Sequence, residues 1–116
     1  MIDRLAIGRT AERRAEQYLH AQGVKTLLRN FRCRGGELDL VAEHDDTIVV
    51  VEVRKRSDSR FGDAADSVDH HKQRKLIHAA GMLLQKHPQW EDRPLRFDVV
   101  GIDREQITWI QDAFQA

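Results

Sequence analysis

Two apolar runs stand out against an otherwise polar chain. Gly35-Gly36-Glu37-Leu38-Asp39-Leu40-Val41-Ala42-Glu43 and Ile48-Val49-Val50-Val51-Glu52-Val53-Arg54 are separated by the polar His44-Asp45-Asp46-Thr47. Each run is rich in Leu, Ile and Val and predicts a β-strand, so residues 35–55 read as a central hairpin. Side chains alternate across a strand. Leu38, Leu40 and Ala42 are therefore expected on one side of the first strand, with Glu37, Asp39 and Val41 on the other. In the second, Val49, Val51 and Val53 oppose Ile48, Val50, Glu52 and Arg54. Placing both apolar sides on a core requires odd positions to pair with even ones. Pairing Glu43 with Ile48 does so and sets Asp39 opposite Glu52 and Glu37 opposite Arg54. Like charges directly opposite destabilise a sheet, and a bound divalent cation is the simplest reason to tolerate them.

The remaining pattern supplies the flanking elements. Residues 3–22 have Leu5, Gly8, Ala11, Ala15, Tyr18 and Leu19 at helical spacing, with Gly23 as a stop. Glu12 lies inside that apolar stripe, where an unpaired carboxylate is costly; either Arg9 or Arg13 rescues it, or it points into a polar pocket. Val24 to Cys33 reads as a first strand with a basic exposed side, Arg29, Arg32 and Arg34, and Asn30 as an irregularity. Residues 55–68 are polar and without period, which suits a substrate loop or lid as well as an ordinary connection. Residues 69–87 predict a second helix capped by Asp69 or Ser67, with Leu76, Ile77, Ala80, Leu83 and Leu84 buried and Gln73 extending the stripe toward the sheet. Residues 95–110 supply two more strands, Leu95–Ile102 and Ile107–Ile110, and Gln111 to Ala116 form a fraying tail or short turn.

Composition narrows the class. A chain of 116 residues, 41% apolar and 33% charged, is expected to form one globular domain, with no membrane span or leader peptide expected. A lone cysteine, Cys33, excludes an internal disulfide and fits the reducing cytoplasm. The net charge of zero argues against a dedicated histone-like DNA binder. Its distribution is uneven, however: residues 1–34 and 54–60 are basic, and acids outnumber bases from Pro88 onward. A basic side beside an acidic cluster suits a metal-dependent phosphodiester enzyme.

The candidate site gathers Glu12, Glu37, Asp39, Glu52, Arg54 and Gln73. Hard cations such as Mg²⁺ or Mn²⁺ take carboxylate oxygens. Such an ion polarises a phosphate and lowers the pKa of a water nearby, while an adjacent cation stabilises charge developing on phosphorus. Arg9, Arg32, Arg34, Lys55, Arg56, Arg60, Lys72 and Arg74 are the candidate phosphate contacts. Other chemistries find little support. Gly35-Gly36 enters a strand rather than a helix, and the histidines lack zinc-site spacing with Cys33.

Gly36-Glu37-Leu38-Asp39-Leu40, the spacer and Val50-Val51-Glu52-Val53-Arg54-Lys55-Arg56 resemble the PD-(D/E)-x-K nuclease core, and most closely the YraN family, small bacterial proteins related to archaeal Holliday-junction resolvases. Gly8-Arg9-Thr10-Ala11-Glu12, Leu28-Arg29-Asn30-Phe31-Arg32, Arg60-Phe61-Gly62 and Lys72-Gln73-Arg74-Lys75-Leu76 add to the likeness, which spans residues 5–103. The resemblance implies a restriction-endonuclease-like α/β fold, a central mixed five-stranded sheet flanked by helices. It implies Asp39 and Glu52 as metal ligands, Glu12 as a supporting acid, Gln73 as a helper, DNA as partner, and it admits a homodimer. Leu38 stands where the motif has proline, and Arg54 where it has lysine. Arginine keeps its charge and cannot serve as a general base. The expectation is a divalent-metal-dependent nuclease acting on DNA, branched or damaged; the alternative is a non-catalytic nucleic-acid-binding or adaptor protein on a nuclease fold.

Overall fold

A computed structural model of the protein describes residues 4–55, 64–104 and 106–116, with side chains from Thr10 onward. Helix α1 (Arg4–Ala21) leads into three consecutive strands, β1 (Lys25–Cys33), β2 (Gly36–His44) and β3 (Thr47–Lys55). Helix α2 (His70–Lys86) then crosses to β4 (Leu95–Ile102), and β5 (Ile107–Phe114) closes the chain. Short single turns of 3₁₀ helix, Ala65–Ser67 and Pro88–Trp90, flank α2.

The sheet order is β1-β2-β3-β4-β5. Tight turns force β1, β2 and β3 to run antiparallel, as do β4 and β5. Only β3 and β4 are parallel, because a whole helix separates them and can carry the chain back to the starting edge. This is the mixed five-stranded sheet flanked by helices that the sequence leads one to expect.

The helices cover opposite faces of the sheet. Ala11, Ala15 and Leu19, four residues apart on α1, pack with Leu40, Ala42, Val49, Val51, Val100 and Ile102. Leu76, Ala79, Ala80 and Leu83 of α2 pack with Leu38, Val41, Ile48, Val50, Phe97 and Val99. Both faces of β3 are thus buried, which explains its unbroken valine run. Gly23, at φ 88°, ends α1 in the left-handed conformation that glycine adopts without steric cost. Asp69 caps α2 by accepting the Lys72 backbone N–H at 2.8 Å. Ile77 and Leu84, expected in the buried stripe, are half-buried at its margin, and Ala79 takes the central place.

The hairpin register is the expected one, but it stops early. Glu43 pairs with Ile48 and Leu40 with Val51, and the ladder also includes His44 with Thr47, leaving Asp45-Asp46 as the turn. Paired residues end at Leu40, so neither Asp39–Glu52 nor Glu37–Arg54 is a ladder pair. Neighbouring β1 is irregular too: its pairing with β2 shifts between Thr26 and Leu28, Asn30 sits at φ 53°, and Leu28 and Phe31 both pack on the α2 side. β2 shows a matching break in alternation. Leu38 joins Val41 on the α2 side, while Leu40 and Ala42 face α1. The expected grouping of Leu38 with Leu40 and Ala42 is therefore corrected. The tail also differs from expectation. Asp112 at φ 52° and a register shift opposite Phe97/Val99 let β5 continue to Phe114, which stacks on Phe97.

Candidate metal and phosphate site

The slip in β2 places the site. With the ladder interrupted, the Asp39 side chain takes over a backbone role, its Oδ2 accepting the Val53 N–H at 2.9 Å. That holds its carboxylate across the end of β3, beside Glu52. Glu52 is on the α2 face with Ile48 and Val50, and is only 6% exposed. Its Oε1 is 4.0 Å from Arg54 Nε and 3.9 Å from Lys72 Nζ, at the outer limit of ion pairing. Its Oε2 is buried and accepts no hydrogen bond, and Arg54 Nε is likewise buried without a partner. A buried polar atom without a partner is costly, and native interiors rarely tolerate one.

Electrostatics reflect this shortage. Burial first, and the neighbouring Asp39 carboxylate second, push the Glu52 pKa up to about 8, against the partial relief given by Lys72 and Arg54. Two acids crowd together with too few cations around them. A hard cation would supply what is missing: it would accept both carboxylates and satisfy Oε2. The donor set of Asp39 and Glu52 thus fits Mg²⁺ or Mn²⁺.

The other expected residues fall around this pair unequally. Gln73 is near the N-terminal turn of α2, where its Nε2 donates to the Val68 carbonyl at 3.0 Å and fixes the entry to the helix. Glu37 is exposed and lies 3.6 Å from Arg32 across β1, away from Arg54. Glu12 is half-buried on α1, which packs on the opposite face from α2. It does not complete a three-acid cluster. Among the described residues no group of three or more His, Cys, Asp and Glu could hold a metal ion.

Arg34, Lys55 and Arg74 are exposed, as phosphate contacts must be. The Arg34 carbonyl accepts from His78 Nε2 at 3.0 Å, which ties the β1–β2 turn to α2. Gly36 permits that docking: a Cβ there would meet the Lys75 carbonyl oxygen at 2.9 Å. The side chain of Arg9, together with Arg56, Arg60 and most of the proposed lid, lies outside the described residues.

Sequence reasoning placed Lys72 among general phosphate contacts; the fold sets it beside Glu52. The signal was present, since Lys72 precedes Leu76 by four residues and so lies on the same helix face. Asp98 was missed altogether. It is fully buried on β4 and accepts from Arg96 Nε, Arg96 Nη2, Trp109 Nε1 and the Asp112 N–H at 3.0, 3.2, 2.9 and 2.9 Å. Arg96 and Asp98, two apart on one strand face, were its sequence signal.

The profile of an uncharacterised protein family, UPF0102, matches residues 11–102. A UPF0102 protein of Pseudomonas putida is 47% identical over 113 residues, covering 93% of this chain and 92% of the relative. One from Pseudomonas fluorescens is 46% identical over 114 residues, covering 97% and 95%. One from Alcanivorax borkumensis is 48% identical over 112 residues, covering 92% and 90%. With likeness of this depth along nearly its whole length, the chain belongs to the UPF0102, or YraN, family.

Proposed function

We propose that the protein is a divalent-metal-dependent nuclease acting on DNA. The observation that carries this reading is the buried Glu52 carboxylate with an unpartnered Oε2 beside Asp39. Strongly perturbed, incompletely paired acids mark functional sites more often than structural ones. Asp39 and Glu52 would hold Mg²⁺ or Mn²⁺, and the ion would supply Lewis-acid polarisation of the phosphodiester. The chain's own residues do the rest. Arg54 and Lys72 present positive charge to the phosphate, Gln73 holds the start of α2, and Arg34 and Arg74 offer backbone contacts on the same side as α2.

A second reading is favoured by one specific observation. The motif's lysine position carries Arg54, whose guanidinium cannot accept a proton. On that reading the same surface binds nucleic acid without cutting it.

Thermal melting with and without Mn²⁺ tests the cation site. Wild type is expected to gain stability with Mn²⁺, whereas Asp39→Asn and Glu52→Gln lose that gain. Wild-type melting indifferent to the ion removes the reading. Incubation with duplex, single-stranded and four-way-junction DNA then separates cutting from binding alone.

A further inference from the structure

We infer that Lys72 is the catalytic lysine of this site, supplied from α2 rather than from β3, and that its ammonium contacts the scissile phosphate and the attacking water. This rests on the nuclease reading above. Four structural observations support it.

Lys72 Nζ is the cation that α2 brings to Glu52, at 3.9 Å. That separation is too long for a hydrogen bond, so the ammonium is not spent on the carboxylate. Its side chain is 34% exposed, whereas that of Glu52 is 7% exposed. The amine therefore stands between the buried acids and the surface from which a phosphate must approach. Its backbone, in contrast, is fixed: the Lys72 N–H is the donor that Asp69 caps, and the next residue, Gln73, anchors the same turn to Val68. A flexible stem on a rigid base is what a phosphate-following group needs.

The chemistry also distinguishes Lys72 from Arg54. An ammonium is a compact point charge with three rotatable donors, while a guanidinium is a planar fork. The former can rotate its donors to reach a non-bridging phosphate oxygen and a water close to phosphorus together, whereas the fork holds its donors in one plane. Hydrolysis itself is simple in its accounting. The water oxygen bonds to phosphorus as the bond to the leaving sugar oxygen breaks. The water gives up one proton to solvent, and the leaving oxygen takes one back. Lys72 moves no net proton. It orients the nucleophile and offsets charge gathering on the phosphoryl oxygens, as preorganised donors do.

The test uses the full chain and a cleaved duplex. Lys72→Met, checked by melting to be folded, is expected to cut about 100-fold more slowly in single turnover. Its affinity for the same duplex in Ca²⁺ should change by less than about tenfold. Arg54→Lys combined with Lys72→Met returns an ammonium to the site from β3 and is expected to recover about tenfold or more of the lost rate. A second readout does not depend on turnover. Acylation by an amine-reactive ester, read by mass spectrometry, should be suppressed at Lys72 when duplex is bound in Ca²⁺, and unchanged at Lys25. Lys72→Met cutting like the wild type, affinity falling in step with rate, or unprotected Lys72 would each overturn the assignment. A wild type that cuts nothing removes the parent reading and this role with it; a cutting wild type matched by Lys72→Met removes only the role.

Discussion

Two acids are buried in this sheet, one rung apart on adjacent strands, and they are treated in opposite ways. Asp98 on β4 pairs with Val51, and Glu52 on β3 pairs with Val99. Asp98, fully buried, receives four N–H donors, two of them from the Arg96 guanidinium, which also contacts His44 Nδ1 at 2.8 Å. Trp109 holds the cluster in place between His44 and Tyr18. Glu52, nearly as buried, has two distant cations, a neighbouring acid and an oxygen with no donor. The first arrangement is complete and leaves nothing for a ligand to do. The second leaves an acceptor oxygen unfilled. Burial alone does not distinguish the two acids; the missing donors do.

The largest expected effect breaks the complete arrangement. Asp98→Asn leaves the half-buried Arg96 beside a neutral amide and should destabilise the protein by about 3 kcal/mol in denaturant titration. A loss no greater than that of a surface substitution would mean that Asp98 and Glu52 are not so different. Relieving the incomplete arrangement has the opposite sign. The folded pKa of Glu52, pushed up to about 8, is above the ordinary carboxylate value of 4.5. Glu52 therefore supports folding fully when protonated below about pH 4.5, and that support is lost as pH rises through about 8. Without metal, wild-type stability should fall across this window. Glu52→Gln should remove the slope and stabilise the apo protein at pH 9 by on the order of 2–3 kcal/mol. A flat wild-type profile, or a destabilised Gln variant at pH 9, would contradict the starved-acid account.

Two smaller effects separate the acids by their surroundings. Gly36→Ala drives a Cβ against the Lys75 carbonyl and Ala79, and should cost about 1–3 kcal/mol as α2 shifts. Because α2 covers Glu52 and not Asp98, the pH slope should shrink in this variant while the near-ultraviolet signal of Trp109 stays. Asp69→Ala removes the α2 cap and should cost about 1 kcal/mol, with amide exchange faster at Lys72 and unchanged at Asp112.

The strands and helices were legible from local pattern. The valine run of β3, the Ala11–Ala15–Leu19 spacing and the Asp69 cap each state their role within a few residues. Even the hairpin register followed from keeping two apolar sides buried. Asn30 was legible as an irregularity of β1, but the break in facing opposite it was not, because no periodicity within β2 records it. The same event turned Asp39 from a ladder residue into a side chain holding Val53 N–H. Which face of the sheet α1 covers was likewise not legible, because layer membership is set only by packing.

The sequence by itself determined the elements and the pairing of the central strands, since each depends on spacing within a short segment. Tertiary structure alone decided which donors reach which acid. Four converge on Asp98 from β4 and β5, and none reaches Glu52 Oε2. Hydrogen bonding acts over about 3 Å, so its outcome is fixed only once strands and helices distant in the chain are packed together.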